Sequence, residues 1–376
     1  MNQIKNFLFS VTLLSLLSCG DSTNDNKINS NGTVKKTMQV SSYNENGEKI
    51  IDNSLKDDGF YQKGITPKYT RDDHTQIVTD HITGLEWEDT LAVSSEVKKW
   101  LNKEIYNKCR YDVFGNQLCQ EDESCDLCFD TSGDTAVSYC EALDLDGKGW
   151  RLPTVSELFN IVDKSKINPA INSKFENTTF ENTKFNSQSY YYTSTIIKGF
   201  LPITINFGEG YSLIDFPKIS PYSAYVRCVR GDEATNNFIR SEQGIVQDTK
   251  TKLEWQDNYS NNSENIKKDS WKNAIDYCES LELNGTNWRL PNINELNTIL
   301  DKKGELIKYF KIRKNKDSWW SATTYSGAMG GVLPSDNEGL NSLAWIVHGY
   351  NTHPYFINGE SKNKVHNIRC VRNYNY

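Results

Sequence analysis

The sequence predicts an α+β fold made twice over, as two tandem domains that each combine two helices with several short strands. The first observation behind this is a duplication. Leu85-Glu86-Trp87, Tyr139-Cys140, Trp150-Arg151-Leu152-Pro153, Glu157-Leu158 and Arg227-Cys228-Val229-Arg230 form one ordered set of motifs. The same set returns as Leu253-Glu254-Trp255, Tyr277-Cys278, Trp288-Arg289-Leu290-Pro291, Glu295-Leu296 and Arg369-Cys370-Val371-Arg372. A repeat of about 130 residues means duplicated domains, because solenoid repeats run to roughly 20–50 residues. The second observation is a helical spacing of apolar residues on both sides of each Trp-Arg-Leu-Pro motif. The third is the strand-like character of the segments that open and close each copy.

The N-terminus reads as an export signal. Lys5 supplies positive charge, and Phe7 to Leu17 form an apolar stretch of 11 residues. A membrane span needs about 20 apolar residues, so this stretch is too short to be one. It ends in Leu16-Leu17-Ser18-Cys19-Gly20, which resembles the lipobox of bacterial lipoproteins. That resemblance implies a signal peptide over 1–18 and Cys19 as the acylated membrane anchor. Such an anchor would place the protein in the bacterial cell envelope, outside the cytoplasm, at the outer membrane or cell surface. Residues 19–56 are rich in Asn, Ser, Asp and Lys and poor in large apolar side chains. A segment like this buries too little surface to offset its ordering entropy, and a flexible tether is expected. The remaining length suits two domains, 57–231 and 245–373.

Each copy opens on a strand, Ile77-Val78-Thr79 or Ile245-Val246-Gln247, then a turn, then a second strand. In that second strand the alternation Leu-Glu-Trp sets Leu85 with Trp87, and Leu253 with Trp255, on one face. A helix follows. In copy two Trp271, Ala274, Ile275, Cys278 and Leu281 recur at helical spacing, as do Ala136, Val137, Cys140 and Leu143 in copy one. After Trp-Arg-Leu-Pro comes a second helix with an explicit start signal. Thr154 with Glu157 forms a capping box, and Asn292 with Glu295 repeats it, so both glutamates are read as caps and not as catalytic acids. The last third is aromatic and strand-like, Tyr190 to Thr195 and Ser318 to Thr323, and both copies close on Arg-Cys-Val-Arg. Between these lie loops with unlike sequences, Gly199 to Pro221 and Gly327 to Lys364, where binding specificity is expected. Trp345, Tyr350 and Tyr355 in the second loop are candidate ligand-stacking residues, with a place in the local core as the alternative reading.

The sequence has nine cysteines, and setting Cys19 aside leaves eight, an even number in an exported chain. Because each copy keeps one Tyr-Cys and one Arg-Cys-Val, the economical pairing is Cys140–Cys228 and Cys278–Cys370. The other four, Cys109, Cys119, Cys125 and Cys128, fall in an insertion over about 100–130 that copy two lacks. Disulfides within the insertion are expected, in any of three connectivities. A zinc site, or a redox role for Cys125-Asp126-Leu127-Cys128, are the alternatives. No Glu-Pro-Asn or Gln-Pro-Asp triplet supports calcium-dependent sugar binding, and no metal or cofactor is expected. The net charge is −7, and the pairs Lys98-Lys99, Lys267-Lys268 and Lys302-Lys303 are isolated and make no block of positive charge, which disfavours nucleic-acid binding.

The set Thr83-Gly84-Leu85-Glu86-Trp87, Tyr-Cys-x-x-Leu, Trp-Arg-Leu-Pro-x-x-x-Glu-Leu and Arg-Cys-Val-Arg resembles the DUF1566 family. This is the C-terminal domain type of the Legionella collagen-like adhesin. The lead-in Asp57-Asp58-Gly59-Phe60-Tyr61 is similar to that family's usual start. The resemblance implies a C-type-lectin-like fold in each domain: two helices on a twisted antiparallel sheet, with a disulfide from the first helix to the final strand. Arg-Leu-Pro-x-x-x-Glu is also similar to the formylglycine-generating enzymes, which need free cysteines in a late strand region. The expected function is non-catalytic: a lipid-anchored surface protein whose two domains bind a glycan, matrix or protein ligand. The alternatives are an enzyme of the formylglycine-generating type and a structural envelope protein without a dedicated ligand.

Overall fold

The computed structural model describes residues 34–102, 110–111, 117–118, 130–180, 189–197, 201–214, 223–233, 235, 237–259, 266–300, 307–311, 318–327, 341–348 and 357–374. In copy one the strands Tyr69–Asp72, Ile77–Asp80, Glu86–Glu88 and Val229–Arg230 form a four-stranded sheet. Ser212–Ile214, Leu201–Asn206, Tyr190–Ile197, Ala224–Tyr225 and Val97–Lys98 form a five-stranded one, in that order. Copy two repeats the plan. Phe238–Arg240, Ile245–Asp248, Leu253–Gln256 and Val371–Asn373 make the four-stranded sheet. Lys268–Asp269, His366–Asn367, Trp319–Tyr325, Leu343–Val347 and Ile357–Ser361 make the five-stranded one.

This corrects the expected architecture. The chain is mostly small β-sheets arranged as a four-bladed β-propeller, and not two lectin-like domains of helices on a sheet. Among the described residues the helices run only from four to nine residues, the longest being Trp271–Glu279. At 1.5 Å rise per residue, nine residues reach only about 14 Å, too short to lay a helical layer over a sheet. The helical spacing is real, with Trp271, Ala274, Ile275 and Cys278 buried. What local pattern could not supply is which strands pair. The expected variable loops also contain strands, Leu201–Asn206 and Ser212–Ile214 in one copy, Leu343–Val347 and Ile357–Ser361 in the other.

Two disulfides have the connectivity that the motif repetition suggests, Cys140–Cys228 and Cys278–Cys370, with Cα–Cα separations of 5.4 and 5.5 Å. Each anchors a cluster of its own copy. Cys140 and Cys228 lie with Trp100, Trp150 and Tyr192; Cys278 and Cys370 lie with Trp271, Trp288 and Trp320. A third, larger cluster joins the copies, running from Val78, Trp87 and Phe159 to Trp255, Leu296 and Trp345. At this junction the Phe159 and Trp345 rings meet edge to face, 5.7 Å between centroids. Gly210 sits beside them at φ +86°, and a Cβ there would come within 2.7 Å of Val162. Ser212 Oγ accepts from Ile357 N at 2.8 Å. Strand register makes these two positions equivalent, since Ser212 pairs with Ile205 and Ile357 with Val347. Equivalent residues meeting one another is the mark of an approximate two-fold relation.

The expected tether over 19–56 lies partly outside the described residues; in its described part 34–42 is largely buried, whereas 51–54 is exposed. Val34, Lys35, Thr37, Gln39, Ser42 and Leu55 are all buried, and a small hairpin joins Ser42–Tyr43 to Lys49–Ile50. These residues form a strap between the copies. The physical reason is hydrogen bonding in place of apolar burial: Thr37 donates to Asp58, and Ser42 and Gln39 donate to Asp57. In the insertion, Arg110–Tyr111 pairs with Gln117–Leu118. Its four cysteines lie outside the described residues.

Candidate functional site

The residues shared by both copies converge, and their chemistry is consumed in holding the frame. Trp-Arg-Leu-Pro lies against Arg-Cys-Val-Arg through main-chain bonds, Arg151 N to Val229 O and Arg289 N to Val371 O, at 2.9 and 3.0 Å. The Arg230 guanidinium stacks on Trp150 at 4.7 Å and pairs with Glu86 at 2.6 Å. Arg372 does the same with Trp288 at 4.5 Å and Glu254 at 2.6 Å. Glu157 and Glu295 close their capping boxes and also hold the motif arginine in a two-pronged pair, Arg151 at 2.7 and 2.8 Å. Each glutamate thus serves a helix terminus and a guanidinium at once.

Sequence reasoning missed a deeper pair. Arg227 and Asp89 are both fully buried and 2.8 Å apart; Arg369 and Asp257 repeat them at 3.0 Å. Arg227 also donates to Glu88 O and Asn177 O, and Asp89 accepts from Glu176 N at 2.9 Å. The repetition of Arg-Cys-Val with an acidic residue two beyond each Leu-x-Trp tryptophan (Asp89 and Asp257) was the available signal.

The strap builds a second polar centre on copy two. Asp58 accepts from Thr37 and, at 2.8 Å, from Thr323. Burial pushes its carboxyl up to about 7, with Glu295 and Asp57 adding to the rise and the two hydroxyls opposing it. Lys362 donates to Tyr43 O at 2.7 Å, Thr324 Oγ1 at 3.0 Å and Asn341 O at 3.0 Å, with its ammonium 4.0 Å from the Trp271 ring. Burial lowers it to about 7, against the pull of Asp57 and Glu45. Between the copies, Lys35 pairs with Asp80 and donates to Tyr69 at 2.9 Å. Lys164 donates to Phe159 O and Val162 O at 2.6 and 3.0 Å, and burial holds it well below the usual lysine range.

One arrangement looks catalytic at first sight. Ser318 Oγ is 3.1 Å from His348 Nδ1, and His348 Nε2 is 3.0 Å from Asn358 Oδ1. Ser318 is only 2% exposed, and its main-chain carbonyl is held by Asn367 N. The trio ties the ends of three neighbouring strands together. No group of three or more potential metal ligands occurs among the described residues.

Sequence comparison assigns this frame to a family. The profile of the Lcl C-terminal domain matches residues 76–230 and 244–372. The chain belongs to the Lcl C-terminal domain family. No curated protein matches it.

Of the three candidate ligand residues in the second Lcl C-terminal domain, Trp345 lies among the described residues. Trp345 is 1% exposed and sits in the core between Phe159 and Tyr325, which corrects its reading as a surface stacking residue. Its strand, Leu343–Val347, is buried on both faces, so it had no free side to offer. Tyr350 and Tyr355 lie outside the described residues, as does Cys19. No described helix is long and apolar enough to cross a membrane.

Proposed function

We propose that the protein is a lipid-anchored surface protein of the cell envelope whose two Lcl C-terminal domains recognise a glycan, matrix or protein ligand without catalysing a reaction. The single observation behind this is an asymmetry laid on a common frame. In copy one the sheet strands Tyr190–Ile197, Leu201–Asn206 and Ser212–Ile214 follow each other closely. In copy two the matching strands, Trp319–Tyr325, Leu343–Val347 and Ile357–Ser361, are separated by much longer connections. Those connections hold Tyr350, His353, Tyr355 and Phe356, side chains suited to stacking and hydrogen bonding with a ligand. Long connections on a rigid frame are where recognition is usually placed.

Attachment to the membrane rests on Cys19 and the apolar stretch before it. The formylglycine-generating alternative would need free thiols at Cys228 or Cys370; both are disulfide-bonded and fully buried. The protein lacking residues 1–19 should bind a component of a glycan or matrix-protein array, and Tyr350→Ala with Tyr355→Ala should weaken that binding while leaving the melting temperature unchanged. Silence on every array, or binding indifferent to both substitutions, would overturn the reading. Loss of surface labelling in cells carrying Cys19→Ser tests the anchor separately.

A further inference from the structure

The duplication allows one half of the molecule to report on the other. In copy two the strap covers the outer face of the five-stranded sheet. Thr324 N donates to Gln39 Oε1 at 2.7 Å, and Thr323 Oγ1 donates to Asp58 at 2.8 Å. Leu55 packs in one cluster with Trp320, Ala344 and Ile346. Tyr61 donates to Glu279 at 2.8 Å, and its ring lies 5.9 Å from the Arg289 guanidinium.

Strand register maps this seat onto copy one. Trp319 pairs with Val347 and Asn367 as Tyr191 pairs with Ile205 and Tyr225. Ala322, Thr323, Thr324 and Asn358 therefore correspond to Ser194, Thr195, Ile196 and Leu213. Positions buried in copy two on the sheet that bears the strap are open in copy one. Ala322, Thr324 and Asn358 are 2%, 2% and 4% exposed, while Ile196 and Leu213 are 37% and 36% exposed, and Ser194 is exposed as well. The motif arginine follows the same contrast: 4% of the Arg289 side chain is exposed against 26% for Arg151. Thr195 Oγ1 accepts from Val155 N at 3.0 Å, as Thr323 Oγ1 does from Ile293 N. The Thr323 hydroxyl donates to Asp58; that of Thr195 has no acceptor among the described residues.

We propose that this face of copy one docks an extended peptide segment of a partner protein, with the chemistry that residues 37–61 bring to copy two. That chemistry is a carboxylate for Thr195 within reach of the Arg151 charge, an aromatic ring beside Arg151, and an apolar side chain against Ile196 and Leu213. The match between the two faces carries the choice of occupant: in copy two the Tyr61 ring lies 5.9 Å from the Arg289 guanidinium and Asp58 accepts from Thr323, and Arg151 and Thr195 hold the same places in copy one. The resident strap cannot serve both faces, since Lys362, Thr323 and Thr324 hold it on copy two. This surface is built from residues of copy one, whereas the proposed ligand site draws on residues of copy two, so the two readings are tested by different substitutions.

The test uses the full chain and a synthetic peptide of residues 34–63 as probe, read by fluorescence anisotropy. One saturable site is expected, weakened by at least about tenfold by Ile196→Lys or Ser194→Glu in the protein, and by Leu55→Asp in the peptide. Both protein substitutions fall at exposed positions, and an unchanged melting temperature shows that folding is intact. Absence of binding overturns the proposal. So does binding that survives Ile196→Lys, which would mean exchange into the seat on copy two. Self-association in sedimentation that Ile196→Lys abolishes would assign the face to a second copy of this chain and equally overturn it.

Discussion

Asp58 takes a carboxyl group to a place where only 2% of the residue meets solvent, and it does so beside Glu295 and Asp57. Its folded-state value of about 7 stands above the ordinary aspartate value of roughly 3.9. The folded state thus binds the proton more tightly, so this group's contribution is full below about pH 4 and is lost as pH rises through about 7. Lys362 has the opposite sense. Its value is lowered to about 7 by burial. Its contribution is full above the unfolded lysine value of roughly 10.4 and is lost as pH falls through about 7. Asp58→Asn keeps an acceptor for Thr37 and Thr323 but removes the charge. Urea unfolding should therefore show the variant gaining on the parent between pH 4 and pH 8, by on the order of 1–4 kcal/mol. A difference that stays flat with pH would mean the carboxylate is solvated.

The two motif arginines make a matched pair at this scale. Arg289–Glu295 is almost wholly buried, whereas Arg151–Glu157 keeps 26% of the arginine exposed. Removing one partner of a buried pair strands the other, at about 3–5 kcal/mol, and the cost falls as solvent reaches the pair. Glu295→Gln should accordingly cost several times more stability than Glu157→Gln in chemical denaturation. Equal costs would show that the strap does not desolvate Arg289.

At the scale of elements, the two short helices after Trp-Arg-Leu-Pro depend on their caps. Thr154 and Asn292 each accept from the third amide while the glutamate reaches back. Thr154→Ala and Asn292→Ala should each cost about 1 kcal/mol. The disulfides tie the preceding helix to the last strand across 88 and 92 residues. Replacing Cys278 and Cys370 together by alanine should lower unfolding free energy by about 2–5 kcal/mol, again read from urea midpoints. These elements were legible in the sequence because each has a local signature: Thr-x-x-Glu, apolar residues at helical spacing, and a cysteine on the buried side. The strap was not. Lys35, Thr37, Gln39, Ser42, Asp57 and Asp58 are buried by hydrogen bonds and charge, and polar composition looks alike in a tether and in a buried strap. Trp345 was misread for a different reason. Leu343-Ala344-Trp345-Ile346-Val347 is an unbroken apolar run, the pattern of a strand covered on both faces, yet it sat in a stretch whose divergent sequence suggested a loop.

At the scale of the molecule, the duplication does not give two independent halves. The largest apolar cluster draws on both copies, and Ser212 meets its equivalent, Ile357, across the junction. The strap then crosses from Lys35, paired with Asp80 of copy one, to Asp58, held by Thr323 of copy two. Sharing a core in this way predicts a single cooperative unfolding transition, with calorimetric and van't Hoff enthalpies that agree. Two resolved transitions would count against it. The fold also explains why only one copy offers an open sheet face: a chain with one N-terminal strap can close one of two equivalent seats.

The central claim is that the segment before copy one is a structural part of copy two. Native-state hydrogen exchange on the chain lacking residues 34–56 tests it directly. The account predicts that amides of Trp319–Tyr325 and Leu343–Val347 in copy two lose most of their protection, while those of Tyr190–Ile197 in copy one keep theirs. Protection lost first in copy one, or unchanged in both, would contradict it.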